Sequence, residues 1–276
     1  TPQLGYDYLC NFGITTLVDN RVEKNGSVSS DIQQALALGG ITDGVTNLEM
    51  TAAYATIANQ GTYTRPVFYS QVIDSNGRVL LDNTTPTTHT VLKASTASLL
   101  TQGMTSVITE GTGTSAKLDG KMPVSGKTGT TSSEYDLWFC GYTPYLTASI
   151  WTGYDENVSL SGDQAYHERL WAKIMNQIDS VKKYKAKSFK MSKDVKKYDI
   201  CSSSGKVAIK GVCPTSKSEY FAKSTQPAKC TYHSAFSKKS SSYSNSSSSS
   251  GSYSSSGSSS SSSSGNSKSG SNSSKS

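Results

Sequence analysis

Ser125-Gly126-Lys127-Thr128-Gly129-Thr130-Thr131, followed by Asp136-Leu137-Trp138-Phe139-Cys140-Gly141-Tyr142-Thr143-Pro144, is the stretch on which the reading of this chain turns. A cationic lysine beside two threonine hydroxyls, with a glycine between them, lets a ligand carboxylate come close to the backbone. The aromatic run that follows is strand-like, which places Lys-Thr-Gly on a strand edge. Leu137–Tyr142 and Tyr145–Tyr154 then read as a hairpin around Thr143-Pro144. The competing reading is a phosphate-binding loop, which needs Gly, four residues, then Gly-Lys-Thr opening a helix. Here five residues, Pro123 among them, separate Gly120 from Gly126, and a hairpin follows instead. The nucleotide reading is set aside.

Upstream, residues 95–109 read as a helix with Leu99, Leu100, Met104, Val107 and Ile108 facing in, closed by Gly111. Gly111-Thr112-Gly113-Thr114 is a tight polar loop leading to Lys117 and the strand. Residues 65–73 alternate as a strand, Asp74-Ser75-Asn76-Gly77 makes a turn, and Arg78–Asp82 returns, with 83–90 a Thr-rich loop. Thr46-x-x-Glu49 is a capping box, in which Thr and Glu satisfy two orphan amides. Leu48, Ala52, Ala55 and Ala58 recur at helical spacing until Gly61, as in a core helix. Residues 30–38 read as a short helix capped by Ser30, with Ile32, Ala35 and Leu36 on one face and Gly39-Gly40 as its stop. Downstream, residues 163–180 place Tyr166, Leu170, Ile174 and Ile178 on one stripe. No internal repeat is visible. The order of elements is α+β, an antiparallel sheet flanked by helices.

Composition divides the chain into three. Residues 1–180 carry 10 Lys/Arg against 17 Asp/Glu, residues 181–239 carry 15 against 3, and the whole chain stands at +7. A basic extension on an acidic globular part suits a polyanion, although a merely solvated linker reads equally well. Residues 240–276 contain 26 serines among 37 positions, which cannot bury a core and are expected to be disordered. No apolar run approaches the length of a membrane span, and a chain beginning at Thr1 in mid-pattern reads as a fragment or processed product.

Cys10 and Cys140 lie in the globular part, Cys140 within an apolar strand as a buried, inert thiol. Cys201, Cys213 and Cys230 lie in the extension, with His233 three residues beyond Cys230. Three Cys and a His can bind zinc, but their spacing lacks the paired Cys-x2-Cys knuckle. The favoured reading is a disulfide in a small extracellular module, with one Cys left over and no metal or other cofactor. His89, His167 and His233 are far apart in sequence and read as surface or packing residues, and Asp136 is left outside the site.

Taken together these residues closely resemble the transpeptidase domain of class A penicillin-binding proteins, bifunctional enzymes that polymerise and cross-link peptidoglycan. Lys-Thr-Gly is the third of that family's three motifs. The matching pieces are Ala35–Gly40, Leu48–Ala55, Ala58-Asn59-Gln60-Gly61 with Pro66, Glu110–Gly113, Lys127–Thr130, Trp138–Pro144 and Trp151–Asp155, in the family's order. Cys201, Ser204-Gly205-Lys206, Cys213, Glu219-Tyr220-Phe221, Pro227 and Cys230-x-x-His233 resemble more loosely the module that follows this domain in some Gram-positive members.

The resemblance implies a serine β-lactamase/transpeptidase-like fold with the N-terminal half of the domain absent. It divides the chain into transpeptidase residues 1–180, a Cys-containing basic extension 181–239 and the tail 240–276. Its chemistry is attack by a serine on the carbonyl between two terminal D-alanines, followed by acyl transfer to a neighbouring stem peptide. Lys127 then helps hold the substrate carboxylate and manage protons, Thr128 and Thr130 hydrogen-bond that carboxylate, Gly129 leaves room, and the Thr130 amide serves the oxyanion. Implied partners are peptidoglycan stem peptides, β-lactam antibiotics and an anionic wall polymer on 181–239, with no nucleic acid. The implied location is the outer face of the cytoplasmic membrane.

One departure is severe. The family needs a nucleophilic Ser-x-x-Lys and a Ser-x-Asn ahead of Lys-Thr-Gly. Here the matches are Ser180–Lys183, Ser203–Lys206 and Ser264–Asn266, all behind it. The chain is therefore expected to be inactive alone. The rival functions are a D,D-carboxypeptidase or β-lactamase of the same fold, and a non-catalytic wall-binding protein that kept half of it.

Overall fold

The computed structural model describes residues 1–214 and 216–233; the serine tail lies outside the described residues. In chain order the elements are α1 (Pro2–Asn11), β1 (Arg21–Val22), β2 (Val28–Ser29), a 3₁₀ helix (Gln34–Leu38), α2 (Asn47–Ala58) and β3 (Thr62–Thr64). Then come β4 (Gln71–Ile73), β5 (Val79–Asp82), β6 (Thr88–Thr90), α3 (Ala94–Thr109), β7 (Ser125–Thr130), β8 (Asp136–Tyr142) and β9 (Thr147–Gly153). Helix α4 (Tyr166–Lys182) precedes β10 (Val195–Cys201) and β11 (Ser216–Ala222). Residues 1–231 cluster as one compact unit.

The sheet that matters is antiparallel and ordered β7-β8-β9. Its register sets Lys127 opposite Cys140, Gly129 opposite Trp138, and Trp138 opposite Trp151. Because side chains alternate along a strand, Leu137 and Phe139 face one way and Trp138 and Cys140 the other. Phe139 enters the main core with Ile108, Val124, Trp171 and Met175, its ring meeting Trp171 edge-on at 5.1 Å. Trp171 on α4 also donates its indole N–H to the Ala148 carbonyl at 3.0 Å, which ties α4 to β9. On the opposite face α2 packs across β8 and β9, where Thr51 and Asn47 hydrogen-bond the Ser149 hydroxyl. Gly126 is required by this arrangement. A Cβ there would lie 2.7 Å from the Cys140 carbonyl oxygen and 2.8 Å from the Phe139 ring.

The helices form where expected, and Ala52, Ile108 and Ile178 turn inward as anticipated, but most of the buried positions are others. The most buried positions of α3 are Ala97, Ser98, Thr101 and Ile108, while Leu100 is exposed. Small polar residues win there because they bond what they touch: the Thr101 hydroxyl meets the Tyr142 phenol at 2.8 Å, and Ser125 donates to the Thr101 carbonyl. In α4 the inward set is His167, Glu168, Trp171, Ala172 and Met175, one position round from the anticipated stripe, and Leu170 and Ile174 face out. Helix α2 buries Ala52 and Thr56 and exposes Leu48. Its Thr46/Glu49 capping box forms as read. At its far end Gly61 has φ +88°, and a Cβ would lie 2.1 Å from the Leu92 carbonyl oxygen.

Three local readings are corrected. The 30–38 helix is only the 3₁₀ turn Gln34–Leu38, since Gly39 leaves it at φ +85° after five residues. The strand placed at 65–73 shrinks to β4, whose Asp74 turn holds through Asp74 Oδ1 accepting from the Asn76 and Arg78 amides. Thr88–Thr90, read as loop, pairs with β3, because two Thr-rich segments find in each other the backbone partners neither has locally.

The extension is ordered too. It crosses α3 through the Ser192 amide on Ser98 Oγ and the Gln102 amide on Met191, and Phe189 packs edge-on against Tyr142. It then forms the antiparallel pair β10–β11. The solvated-linker reading is thus replaced by a small folded module.

Candidate functional site

Edge strand β7 brings Lys127, Thr128, Gly129 and Thr130 to one stretch, as the sequence placed them. Lys127 and Gly129 share a face with Trp138 and Cys140 and look toward α2. Together with Thr128 and Thr130 they line a cleft of about 210 Å³, closed by Leu38, Ile41, Val45, Met50, Tyr54 and Trp138. A second hollow of about 400 Å³ continues past Gly39, Ile41, Thr131 and Trp138 to Asp43, Asp136 and Trp151. The 3₁₀ helix and its Gly39-Gly40 exit thus form one wall, and β7 with Trp138 the other. Leu38, on that wall, is 93% exposed.

The charge of the cleft is that of Lys127. Its ammonium is exposed and donates to the Thr128 carbonyl at 2.9 Å. No carboxylate lies in salt-bridge reach of it among the described residues, so its charge stays available to an anionic ligand. Thr128, one residue on, borders the same cleft but turns its hydroxyl to the loop after α3. Its hydroxyl meets that of Thr112 at 2.8 Å, linking β7 to the polar loop after α3. Thr130 is exposed at the open end of the strand.

Three groups beyond the Lys-Thr-Gly shape the site. Asp136 anchors the β7–β8 turn: one oxygen accepts from Thr131 Oγ1 at 2.9 Å and the other from the Trp151 indole at 2.8 Å. Burial raises the Tyr54 phenol above its ordinary range and pushes the Cys140 thiol up to about 12, so both stay protonated walls. Cys140 is the inert thiol expected of it. Thr112 escaped the sequence reading as a site residue, although Glu110–Gly113 stood among the family pieces. Nothing local signals that a loop 16 residues upstream will meet Thr128.

The family model of the penicillin binding protein transpeptidase domain matches residues 4–178. The chain belongs to that family. A second model, the C-terminal domain of penicillin-binding protein 1A, matches residues 191–235. Among curated relatives, penicillin-binding protein 1A of Clostridium acetobutylicum is 37% identical over 171 residues, covering 62% of this chain and 20% of that protein. Penicillin-binding protein 1A of Clostridium tetani is 31% identical over 240 residues, covering 83% and 29%. The chain therefore spans a fifth to under a third of the length of these relatives. Of solved structures, the penicillin-binding protein PonA1 from Mycobacterium tuberculosis aligns at TM-score 0.56 and 25% identity, over 68% of this chain and 52% of that one. Penicillin-binding protein 1A from Haemophilus influenzae aligns at TM-score 0.61 and 20% identity, over 83% and 37%. This transpeptidase domain has the serine β-lactamase/transpeptidase-like fold, and no helix among its described residues is long and apolar enough to cross a membrane.

Proposed function

We propose that residues 1–180 supply the Lys-Thr-Gly wall of a peptidoglycan D,D-transpeptidase that also binds penicillin. The observation that carries this reading is Lys127 exposed, without a carboxylate partner among the described residues, and lining the cleft beside Trp138 and Tyr54. Lys127 draws in the carboxylate at the end of a stem peptide or of a β-lactam, and the exposed Thr130 hydroxyl donates a hydrogen bond to it. Gly129 lets the ligand backbone approach the strand. Thr128 acts through Thr112, fixing the turn of β7 from its far side.

The nucleophilic serine belongs to sequence outside these 276 residues, so the chain alone does not acylate. In this reading the exposed Leu38 and Phe68 (93% and 87% accessible) mark ground that the remainder of the domain covers. The parent is a class A synthase of a Gram-positive wall, with a glycosyltransferase domain and membrane anchor elsewhere. Residues 181–239 hold anionic wall polymer on the outer side of the membrane.

An antibody to residues 181–239, applied to membranes of the source cells labelled with fluorescent penicillin, tests the reading. A labelled, antibody-reactive band well above 29.4 kDa supports it. A band at 29.4 kDa without label refutes it in favour of a wall-binding protein.

A further inference from the structure

From sequence alone the basic module reads as a disulfide framework with a thiol to spare. The fold brings all three of its cysteines together instead. Cys201 closes β10, Cys213 ends the loop that leads to β11, and Cys230 follows the short bridge of Val207 to Lys229. Their sulfurs lie within 4.8 Å of one another. Cys201 and Cys230 are buried and Cys213 half-buried.

That spacing suits a shared ion. Four ligands held about 2.3 Å from a tetrahedral zinc stand a little under 4 Å apart, a separation this cluster reaches with small side-chain rotations. A disulfide instead draws two sulfurs to about 2 Å and leaves the third with no role.

The surroundings are built for thiolates. The Ser204 hydroxyl points at Cys230 Sγ at 3.3 Å, and the Ile209 amide points at Cys213 Sγ at 3.3 Å. Donors aimed at two different sulfurs stabilise negative charge on each, as outer-shell partners of metal-bound ligands do. The backbone fixes the cage from three sides. Cys201 accepts from the Ser204 and Gly205 amides in a tight turn, Cys213 donates to the Ile209 carbonyl, and Cys230 donates to the Val207 carbonyl. Gly205 sits at φ +65°, the conformation such a turn requires. The segment around them is the lysine-rich part of the chain, which favours thiolates over thiols.

We propose that Cys201, Cys213 and Cys230 form a structural Zn²⁺ site, with His233 as the fourth ligand by its place three residues after Cys230. On binding, each thiol releases its proton to solvent while the neutral imidazole gives a nitrogen lone pair. No oxidant takes part. The ion staples β10, the loop after it and the segment beyond β11, a stretch with little apolar interior of its own.

The test uses the 276-residue chain purified under reducing conditions, its metal content measured by mass spectrometry, and cobalt(II) as a spectroscopic stand-in. One zinc per chain, three thiols shielded from alkylation until a chelator is added, and a thiolate-to-cobalt charge-transfer band with strong visible bands are expected. Cys213→Ser and His233→Ala should each weaken binding by at least about a hundredfold, more than loss of an outer-shell partner costs. Ser204→Ala keeps every ligand and guards against misfolding of the ligand variants; about a tenfold loss is expected. Cys10→Ser should bind as the parent chain does. No zinc in the reduced chain, a mass lower by two hydrogens with metal absent, or equal binding by the Cys213→Ser variant would each overturn the proposal.

Discussion

The sheet β7-β8-β9 with α4 and the N-terminal region up to α2 are held together in different ways. The sheet side rests on burial: Phe139, Trp171, Met175 and Val124 exclude water and interlock. In the N-terminal region α1 buries no side chain, β1 and β2 are two residues each, and carboxylates do the holding. Asp31, fully buried, accepts from the Val18 amide at 2.7 Å and from the Thr42 amide and hydroxyl at 2.8 and 2.6 Å. Glu49 gathers Thr15 and Thr46 in the same fashion, and Arg21 grips Asp43 through two bonds. The lesson concerns the cleft, since one wall comes from each region. A rigid strand faces a wall whose position depends on a few charged hydrogen bonds.

Trp171→Ala should break the first region most severely, by about 3–5 kcal/mol, since it leaves a cavity and an unpaired Ala148 carbonyl. Denaturant unfolding measures this, and amide exchange should quicken throughout β8. Asp31→Ala should cost about 2–3 kcal/mol, because the buried Val18 and Thr42 amides lose a charged acceptor. Its exchange signature should stay within residues 14–46. Faster exchange across β8 as well would show that the two regions unfold as one and erase the contrast.

Acid should separate the regions by pH window. Burial alone would raise the Asp31 and Glu49 carboxyls, yet the hydrogen bonds from Thr42 and Val18, and from Thr15 and Thr46, outweigh it and hold both below the usual range. Their stabilisation is complete above the unfolded values near 4 and is lost as pH falls through the lower folded ones. His167 in the core is shifted down by burial, so its contribution is complete above about 6.5 and fades as pH falls from there. Neighbouring Glu168, raised by burial, works in the opposite sense. Proteolysis of the N-terminal region should therefore set in below about pH 4, while His167→Gln should flatten the pH dependence of unfolding near 6.

The smallest effect belongs to Thr112→Val. Losing one exposed hydroxyl pair should cost under about 1 kcal/mol of stability. In the parent protein it should slow penicillin labelling by a few-fold while the unfolding midpoint barely moves. An unchanged labelling rate would leave Thr128 without a positioning partner.

Much of this was legible in the sequence where the cause is local. The Lys-Thr-Gly strand, its hairpin partner, the Thr46/Glu49 box and the glycine stops at Gly39 and Gly61 each follow from neighbours within a few residues. That Lys127 to Thr130 lie together on one strand was legible for the same reason. The buried faces of α3 and α4 were not. Periodicity marks several apolar stripes around a helix, and only the opposing surface selects among them: Trp171 over Leu170, and Thr101, bonded to Tyr142, over Leu100.

By itself the sequence determined which residues could carry chemistry: one lysine among threonines and glycine, and three cysteines with a histidine. Tertiary structure alone decided what those residues meet. Strand alternation turns Lys127 to the cleft and Thr128 to Thr112, and the β10–β11 pairing gathers Cys201, Cys213 and Cys230 without any Cys-x2-Cys spacing to announce it. The physical reason is the same in both cases. Local hydrogen bonding and backbone preference act over a turn or a strand, whereas a site needs groups from distant segments, and only packing and strand pairing set their separation.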